Sequence, residues 1–318
     1  MKKLLSLVLV ATLLLGAALS LTSCSTLEFG TSGMSMTVYG VKNPNVKKLV
    51  IPEKGKGVKI TLLLGECLTE CKKLESITIP STVTEIDGAV FYGCESLVSI
   101  TVDENNPVYH SEGNCIIETE TNILVAGCKG SVIPDYVTEI GYYAFAGTGI
   151  ESIEIPENVV SIDWGAFKDC KSLKSIWIHK NVTYLGDYIL NGCSALESIV
   201  VEDGNEMYFT IDNCLMQNGL LLAGCKTSII PKVAVKIGDR AFSGCSEMES
   251  ITLPNNIRAI GDRVFEGCAA LKTINYNDDM SMWNALDKDE GWDYKMPPCT
   301  LNATDGSIDL MPEIPYTN

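Results

Sequence analysis

Histidine is nearly absent from this chain of 318 residues, which contains only His110 and His179. Because imidazole is a frequent general acid–base group and a frequent metal ligand, this scarcity argues against histidine-based catalysis and zinc chemistry. Basic residues are also few, with 24 Lys and Arg against 40 Asp and Glu, and the formal net charge is −16. Such a field repels phosphate backbones, so nucleic acid is not an expected partner.

Common catalytic motifs are missing as well. The chain has no G-x-S-x-G, no H-E-x-x-H and no phosphate-binding loop with its lysine. A pair of carboxylates for glycoside hydrolysis has no fixed spacing in sequence, so that activity stays open as a remote alternative. Cysteines with accompanying partners at zinc-site spacing are not found either, so we expect no metal and no cofactor. The sequence predicts a protein that is not an enzyme.

The first 23 residues are built like a secretory signal peptide. A positive start at residues 1–3 precedes a stretch at residues 4–21 that is apolar apart from three hydroxyl residues. This stretch is also compatible with plain secretion or with an uncleaved membrane anchor. However, residues 21–24, Leu-Thr-Ser-Cys, resemble the bacterial lipobox, which implies cleavage before Cys24 and lipidation of its thiol. We interpret residues 24–44 as the lipidated cysteine and a flexible spacer rich in Ser, Thr and Gly.

A period of 23 residues governs most of the remaining chain. It separates Cys170 from Cys193 and Cys245 from Cys268, within the frame I-G-x-x-A-F-x-G-C-x-x-L-x-x-I-x-I-P. A fixed period of this size indicates a solenoid, in which each coil buries its apolar edge against the next. Alternating apolar and polar residues before the proline predict one short strand per coil, stacked in parallel on its neighbours.

Two longer units interrupt the period and match each other. One runs from Asn106 to Lys129 and the other from Asn205 to Lys226, and each contains a pair of cysteines. The second unit is shorter by two residues between its cysteines, where Gln217-Asn218-Gly219 predicts a tight hairpin turn. One long coil followed by several short coils therefore indicates an internal duplication.

This frame resembles the BspA-type leucine-rich repeats of bacterial surface proteins over about residues 45–276. The resemblance implies an α/β-type repeat solenoid with one parallel β-sheet face, and with short strands and turns or short helices in each coil. Residues 277–318 resemble the closing unit of that family, followed by a loose tail from residue 307. Its physical role would be to cover the last open edge of the stack.

The resemblance also implies a function, which is adhesion to host proteins or to neighbouring cells. The expected partner is an extracellular protein or glycan, and the expected location is the outer membrane or cell surface, with the lipid as membrane anchor. The alternative is a periplasmic scaffolding lipoprotein without an adhesive role. Neither the identity of the partner nor the oligomeric state follows from the sequence.

The chain contains 13 cysteines, and six of them recur at one position of the frame. Stacked coils would place these six in a column of small buried side chains, where parallel Cβ vectors are unsuited to disulfides. We therefore expect free structural thiols in this column. The pairs Cys115/Cys128 and Cys214/Cys225 flank hairpin turns, so they are better candidates for disulfides.

Strand positions between the buried residues face outward, and these positions are the candidate binding residues. They are Trp177, Glu154, Thr78, Thr101, Val200 and Thr252. Trp177 is the proposed anchor, because tryptophan is enriched at binding hot spots. The alternative is that its indole packs on His179 and Lys174.

Acidic pairs open both long units, at residues 103–104 and 202–203. Such pairs can bind Ca²⁺, although they are more often solvated loop residues.

Overall fold

The 23-residue period of the sequence becomes the register between neighbouring strands. In the computed structural model, which describes residues 26–69 and 71–312, Ser76 pairs with Ser99 and Ser175 pairs with Ser198 in parallel ladders. Each of these strands buries its second and fourth residues, because successive side chains of a strand point to opposite faces. The chain is a β-solenoid of about 12 turns with almost no helix, which confirms the predicted repeat fold.

Eight longer strands form the broad face of the solenoid, which we call the sheet face. They are β3 Lys48–Val50, β6 Ser76–Ile79, β8 Ser99–Val102, β14 Ser175–Ile178, β16 Ser198–Val201, β21 Ser250–Leu253, β23 Thr273–Tyr276 and β25 Cys299–Ala303. Their parallel ladders are β3–β6–β8, β14–β16 and β21–β23–β25. Each of the two breaks between ladders contains one of the long coils.

A second, narrower row of parallel strands runs along the solenoid. It consists of two-residue strands, β7 Glu85–Ile86, β12 Glu139–Ile140, β13 Ser161–Ile162, β15 Tyr184–Leu185, β20 Lys236–Ile237, β22 Ala259–Ile260 and β24 Asp287–Lys288. The turns that follow most of them carry the G-x-x-A-F part of the frame or close variants of it, and we call this side of the solenoid the turn edge. Its phenylalanines point inward, and Phe145 stacks on Phe167 with ring centroids 5.4 Å apart.

Each long coil folds back on itself as antiparallel strands. The strands are β9 Tyr109–Glu112, β10 Cys115–Glu118 and β11 Ile123–Ala126 in the first, and β17 Phe209–Ile211, β18 Cys214–Gln217 and β19 Leu220–Ala223 in the second. Asn106 fixes the start of the first long coil. Its amide nitrogen donates to the carbonyl oxygens of Pro80 and Val83 at 3.0 and 2.8 Å, and its amide oxygen accepts from the backbone of Tyr109. Asn205 makes the equivalent contacts in the second.

All twelve cysteines of the described residues are buried free thiols, including the disulfide candidates Cys115, Cys128, Cys214 and Cys225. In the cysteine column, the thiols of Cys94, Cys170, Cys193, Cys245 and Cys268 donate to a backbone carbonyl of the preceding coil. The Sγ atom of Cys170 lies 3.1 Å from the carbonyl oxygen of Phe145. Burial raises the pKa of the Cys170 thiol to about 12, so the thiol stays protonated at neutral pH. These cysteines therefore act as small packing residues with one donor each.

The N-terminal end differs from the predicted flexible spacer. Residues 27–41 form a hairpin of β1 Leu27–Ser32 and β2 Ser35–Val41, followed by β4 Lys54–Gly55 and β5 Val58–Leu63. Leu27 and Val38 are fully buried, and β2 pairs in parallel with β5, which itself pairs with β7. The hairpin therefore covers the first open edge of the narrow row. The prediction of a spacer is wrong for these residues because alternating apolar side chains lie within the Ser/Thr/Gly-rich composition.

The C-terminal end closes the opposite edge. After helix α1 Met280–Ala285, strand β25 is followed by β26 Gly306–Leu310, which pairs with it antiparallel. Residues 307–310 are therefore a strand rather than part of the predicted tail, and residues 313–318 lie outside the described chain. Trp283 of the helix is buried edge-on between Tyr276 and Trp292, with ring centroids 5.7 and 5.6 Å away.

Candidate binding face

Outward side chains of the sheet face stand in register from coil to coil. On β6 and β8, Thr78 lies opposite Thr101, and on β14 and β16, Trp177 lies opposite Val200. The buried isoleucines beneath them hold the strand positions, so the outward residues have fixed spacing. Neighbouring side chains are therefore about 4.8 Å apart along the solenoid, as in any parallel ladder.

The six candidate residues do not form one cluster. Thr252 is exposed on β21, beyond the second long coil, and Glu154 is exposed in a coil whose equivalent segment is not a strand. The structure therefore divides the candidates among three stretches of the sheet face. Only Trp177 and Val200 combine an aromatic and an apolar side chain in direct register.

Trp177 is the outward residue with the largest side chain. It is 48% exposed, and it makes no aromatic or cation–π contact with any residue in 26–69 or 71–312. The two residues proposed to cover it have partners of their own. His179 lies 3.2 Å from a carboxylate oxygen of Glu202, and Lys174 forms an ion pair with Glu151 at 3.9 Å. The indole is thus available on a flat polar surface.

Two further exposed residues occupy the same frame position as Thr78 and Trp177, and the sequence reasoning missed them. Val132 is 72% exposed and Ile229 is 66% exposed. Each precedes an Ile-Pro pair, as Thr78 precedes Ile79-Pro80. This signal was present in the sequence, but the long coils obscured it because their return segments are not strands. This outward frame position is therefore more apolar than the predicted serines and threonines suggest.

Lysine–glutamate pairs border the sheet face, since a glutamate precedes the first serine of several strands. Lys47 lies 2.7 Å from Glu75, and Lys226 lies 3.0 Å from Glu197. A hydrogen bond from Lys47 lowers the pKa of the Glu75 carboxyl. Such exposed pairs add little stability, but they fix a charged margin beside the neutral face.

The acidic loop pairs are engaged within the protein. An oxygen of Asp103 accepts from the backbone of Asn105 at 2.9 Å, and Glu202 accepts from the backbone of Lys180 at 3.1 Å. Within residues 26–69 and 71–312, no group of three or more His, Cys, Asp or Glu side chains is arranged to hold a metal ion. The structure therefore offers no geometry in support of the Ca²⁺ alternative.

A ladder of aromatic and cationic side chains on the turn edge was not predicted. The rings of Tyr142 and Trp164 stack at 5.6 Å, Trp164 lies 5.2 Å from Tyr188, and the guanidinium of Arg240 lies 4.9 Å from the Tyr188 ring. Tyr188 and Arg240 have φ of 61° and 54°, so the turn holds both in the left-handed region. They occupy the variable positions of the frame, where the repeat itself gives no information.

The proposed lipidation site, Cys24, lies outside the described residues, as does the predicted signal peptide. In the described part of the chain, no helix has both the length and the apolar character needed to span a bilayer.

Comparison with known proteins identifies the repeat. A region described as "BspA type Leucine rich repeat region" matches the chain in six copies, over residues 20–119, 126–219 and 222–284. That description names a repeat and no catalytic activity. A search of curated proteins finds no match.

A comparison with solved structures also finds matches. A leucine rich cell surface protein from Faecalibacterium prausnitzii A2-165 is 20% identical with a TM-score of 0.46, and the match covers 84% of this chain and 97% of that one. A leucine-rich repeat protein from Eubacterium ventriosum ATCC 27560 is 24% identical with a TM-score of 0.46, and the match covers 71% of this chain and 54% of that one. The pneumococcal vaccine antigen PcpA is 17% identical with a TM-score of 0.39, and the match covers 80% of this chain and 81% of that one.

Proposed function

This chain belongs to the BspA-type leucine-rich repeat family, and from that premise we propose that it is a cell-surface lipoprotein that binds a protein or glycan partner through its sheet face. Leucine-rich repeats of this kind serve protein binding or adhesion in general, and they are typically not enzymes. An open parallel sheet supports this role because it presents side chains at regular spacing on a rigid scaffold.

The exposed indole of Trp177 is the observation that carries the proposal. Tryptophan combines a large contact area with few rotatable bonds, which is why it dominates many binding hot spots. Trp177 is flanked by Val200 in direct register and lies on a face with a charged margin. An apolar anchor within a polar surround is the usual anatomy of a protein-binding surface.

The N-terminal hairpin supports attachment close to the membrane. If Cys24 carries the lipid, β1 begins three residues later at Leu27. Three extended residues span roughly 10 Å, so the first coils would lie near the bilayer surface. Two or more acyl chains hold a protein stably on a membrane, whereas one chain does not. The sheet face would then extend from the cell surface along the length of the solenoid.

Replacing Trp177 by alanine tests the binding surface. The full chain and its W177A variant would be screened against a glycan array and a panel of immobilised extracellular matrix proteins, and the affinity for each positive probe would then be measured. We expect W177A to bind at least about tenfold more weakly, a loss of roughly 1.4 kcal/mol.

Tyr184→Ala is the matched control for this screen, because Tyr184 is 52% exposed on the narrow row. This variant should bind as the wild type does. If W177A binds the probes as tightly as the wild type does, Trp177 is not the anchor. A wild-type chain that bound none of the probes would favour the scaffolding alternative.

A further inference from the structure

A cavity of about 270 Å³ lies between the second long coil and the coils on either side of it. Its walls come from the turn after β15, from the hairpin strands β18 and β19, and from the turn after β20. This volume is just below the ~300–1,000 Å³ of pockets that hold drug-sized ligands. The cavity is separate from the sheet face, since none of the proposed binding residues lines it.

The cavity exists because the second long coil does not reach the turn edge. Its hairpin takes the place of a full coil, and the two flanking coils meet directly beyond it. The backbone nitrogen of Gly192 donates to the carbonyl oxygen of Ser243 at 3.0 Å, and Arg240 stacks over Tyr188. These contacts close the outer side and leave the space beneath them open.

The first long coil provides an internal comparison. There, the ring of Tyr142 packs directly against Gly88, and a Cβ atom on Gly88 would lie 2.7 Å from the carbonyl oxygen of Tyr142. At the same two positions of the frame, the second long coil is flanked by Asp187 and Asp239. An aromatic ring packed on a glycine is thus replaced by two carboxylates, which are both exposed and both belong to the cavity lining.

The lining offers hydrogen-bonding groups that have no partner inside the protein. Among the described residues, the side chains of Asp187, Gln217 and Lys236 make no hydrogen bond or ion pair. Beside them, Leu185 and Leu220 are only half-buried, so their apolar surface forms an open floor. The cavity therefore combines donors, acceptors and an apolar wall at close range.

The charges of the lining balance each other. Asp187 and Asp239 contribute two carboxylates, whereas Lys236 and Arg240 contribute two cations. The formal charges of these four lining residues cancel, and the Arg240 guanidinium also pairs with Glu266 outside the lining at 3.7 Å, so the lining is not built for an ion of one sign. A neutral ligand that both donates and accepts hydrogen bonds matches it better.

We propose that this cavity binds one sugar ring. A pyranose carries hydroxyl groups that donate to Asp187 and Asp239 and accept from Lys236, and the amide of Gln217 can do both. The C–H face of the ring would cover the half-buried leucines, which removes their apolar surface from water. The ring is either a free monosaccharide or the terminal unit of a glycan, because Asp187 and Asp239 of the lining are exposed to solvent.

The binding test uses the full chain in detergent with four methyl pyranosides, those of glucose, galactose, mannose and N-acetylglucosamine. Saturation-transfer NMR detects binding and calorimetry measures its affinity. We expect at least one of them to bind with a millimolar dissociation constant. Disaccharides that end in the same sugar distinguish the two sources. If the site accepts the end of a glycan, the disaccharide should bind at least as tightly as the methyl pyranoside. If the site accepts only a free monosaccharide, the disaccharide should bind more weakly.

Two variants locate the binding. Q217A/K236A removes unpartnered side chains, and D187G/D239Y copies the closed arrangement of the first long coil. Each should weaken sugar binding at least about tenfold, with thermal unfolding confirming that the variant is folded. The matched control is E118A/E139A, which changes the equivalent positions of the first long coil and should bind normally.

Three results would overturn the proposal. One is the absence of binding by every pyranoside at millimolar concentration. Another is binding that both cavity variants retain. The third is binding of free amino acids, tested in parallel, without binding of any sugar, which would assign the cavity to a zwitterionic ligand. The W177A variant should bind the sugar normally, so failure of this site and failure of the sheet face can be told apart.

Discussion

Phe242→Ala should lower the free energy of unfolding by about 3–5 kcal/mol. Phe242 is fully buried, stacks on Phe265 with ring centroids 6.0 Å apart, and lies directly against Gly224, where a Cβ atom would collide with its ring. Alanine would leave a cavity between the second long coil and the next coil. The surrounding backbone cannot collapse into this cavity, because strand pairing on both sides holds the coils apart.

The measurement is urea unfolding followed by circular dichroism. Phe209→Ala is the matched control, since the same atoms are removed from a side chain that is 39% exposed on β17. It should cost about 1 kcal/mol or less. Similar losses for both variants would contradict the stacked phenylalanine core. Because coils contact mainly their neighbours, Phe242→Ala should also broaden the transition by uncoupling the two halves of the solenoid.

Cys24→Ala should abolish lipidation completely. The proposed lipid is bonded to this thiol, and the other twelve cysteines are buried, so they offer no alternative acceptor in the folded protein. In a bacterial host fed with an alkyne fatty acid, the wild-type chain should be labelled and should sediment with membranes. The C24A variant should be unlabelled, whereas Ser25→Ala should be labelled as the wild type is.

Retention of label by C24A, or an unlabelled wild type, would contradict the proposed anchor. Protease treatment of intact cells then separates the two placements of the labelled protein. Release of the solenoid indicates display outside the cell, and protection of the chain indicates the periplasmic alternative.

The regular coils were predictable because one local pattern is repeated. Alternation around Ile77 and Ile79 specifies a strand, and the same spacing around Ile100 specifies its neighbour, so each coil supports the assignment of the others. The buried column of Cys170 and Cys193 followed from the same recurrence. A departure from the pattern in one coil therefore does not change the assignment of the repeat.

The ends of the solenoid were less predictable, because they occur only once. Met36 and Val38 alternate within a segment whose composition is typical of a linker, and their burial depends on pairing with β5. The strand at residues 306–310 likewise depends on a partner, β25, that the local sequence does not specify. Single-copy segments lack the repetition that made the coils recognisable.

The positions of the outward residues on the sheet face and the presence of the cavity both depend on packing between coils. Ile229 shares its frame position with Trp177, but its place on the sheet face depends on how the second long coil returns. The cavity depends on Asp187 and Asp239 standing where the first long coil has Gly88 and Tyr142. A single pair of substitutions decides whether that space is filled, and sequence periodicity does not show that the two positions meet.

The most direct test of the account compares threonine-to-arginine substitutions on the two sides of the solenoid. Thr101 and Thr252 are exposed on the sheet face, and Thr138 and Thr183 are exposed beside the narrow row. Arginine adds the same bulk and charge at each site, and affinity is measured for the probe that the wild-type chain binds. We predict that T101R or T252R weakens binding at least about tenfold, while T138R and T183R leave it unchanged. Loss of binding in T138R or T183R alone would show that the partner does not bind the sheet face.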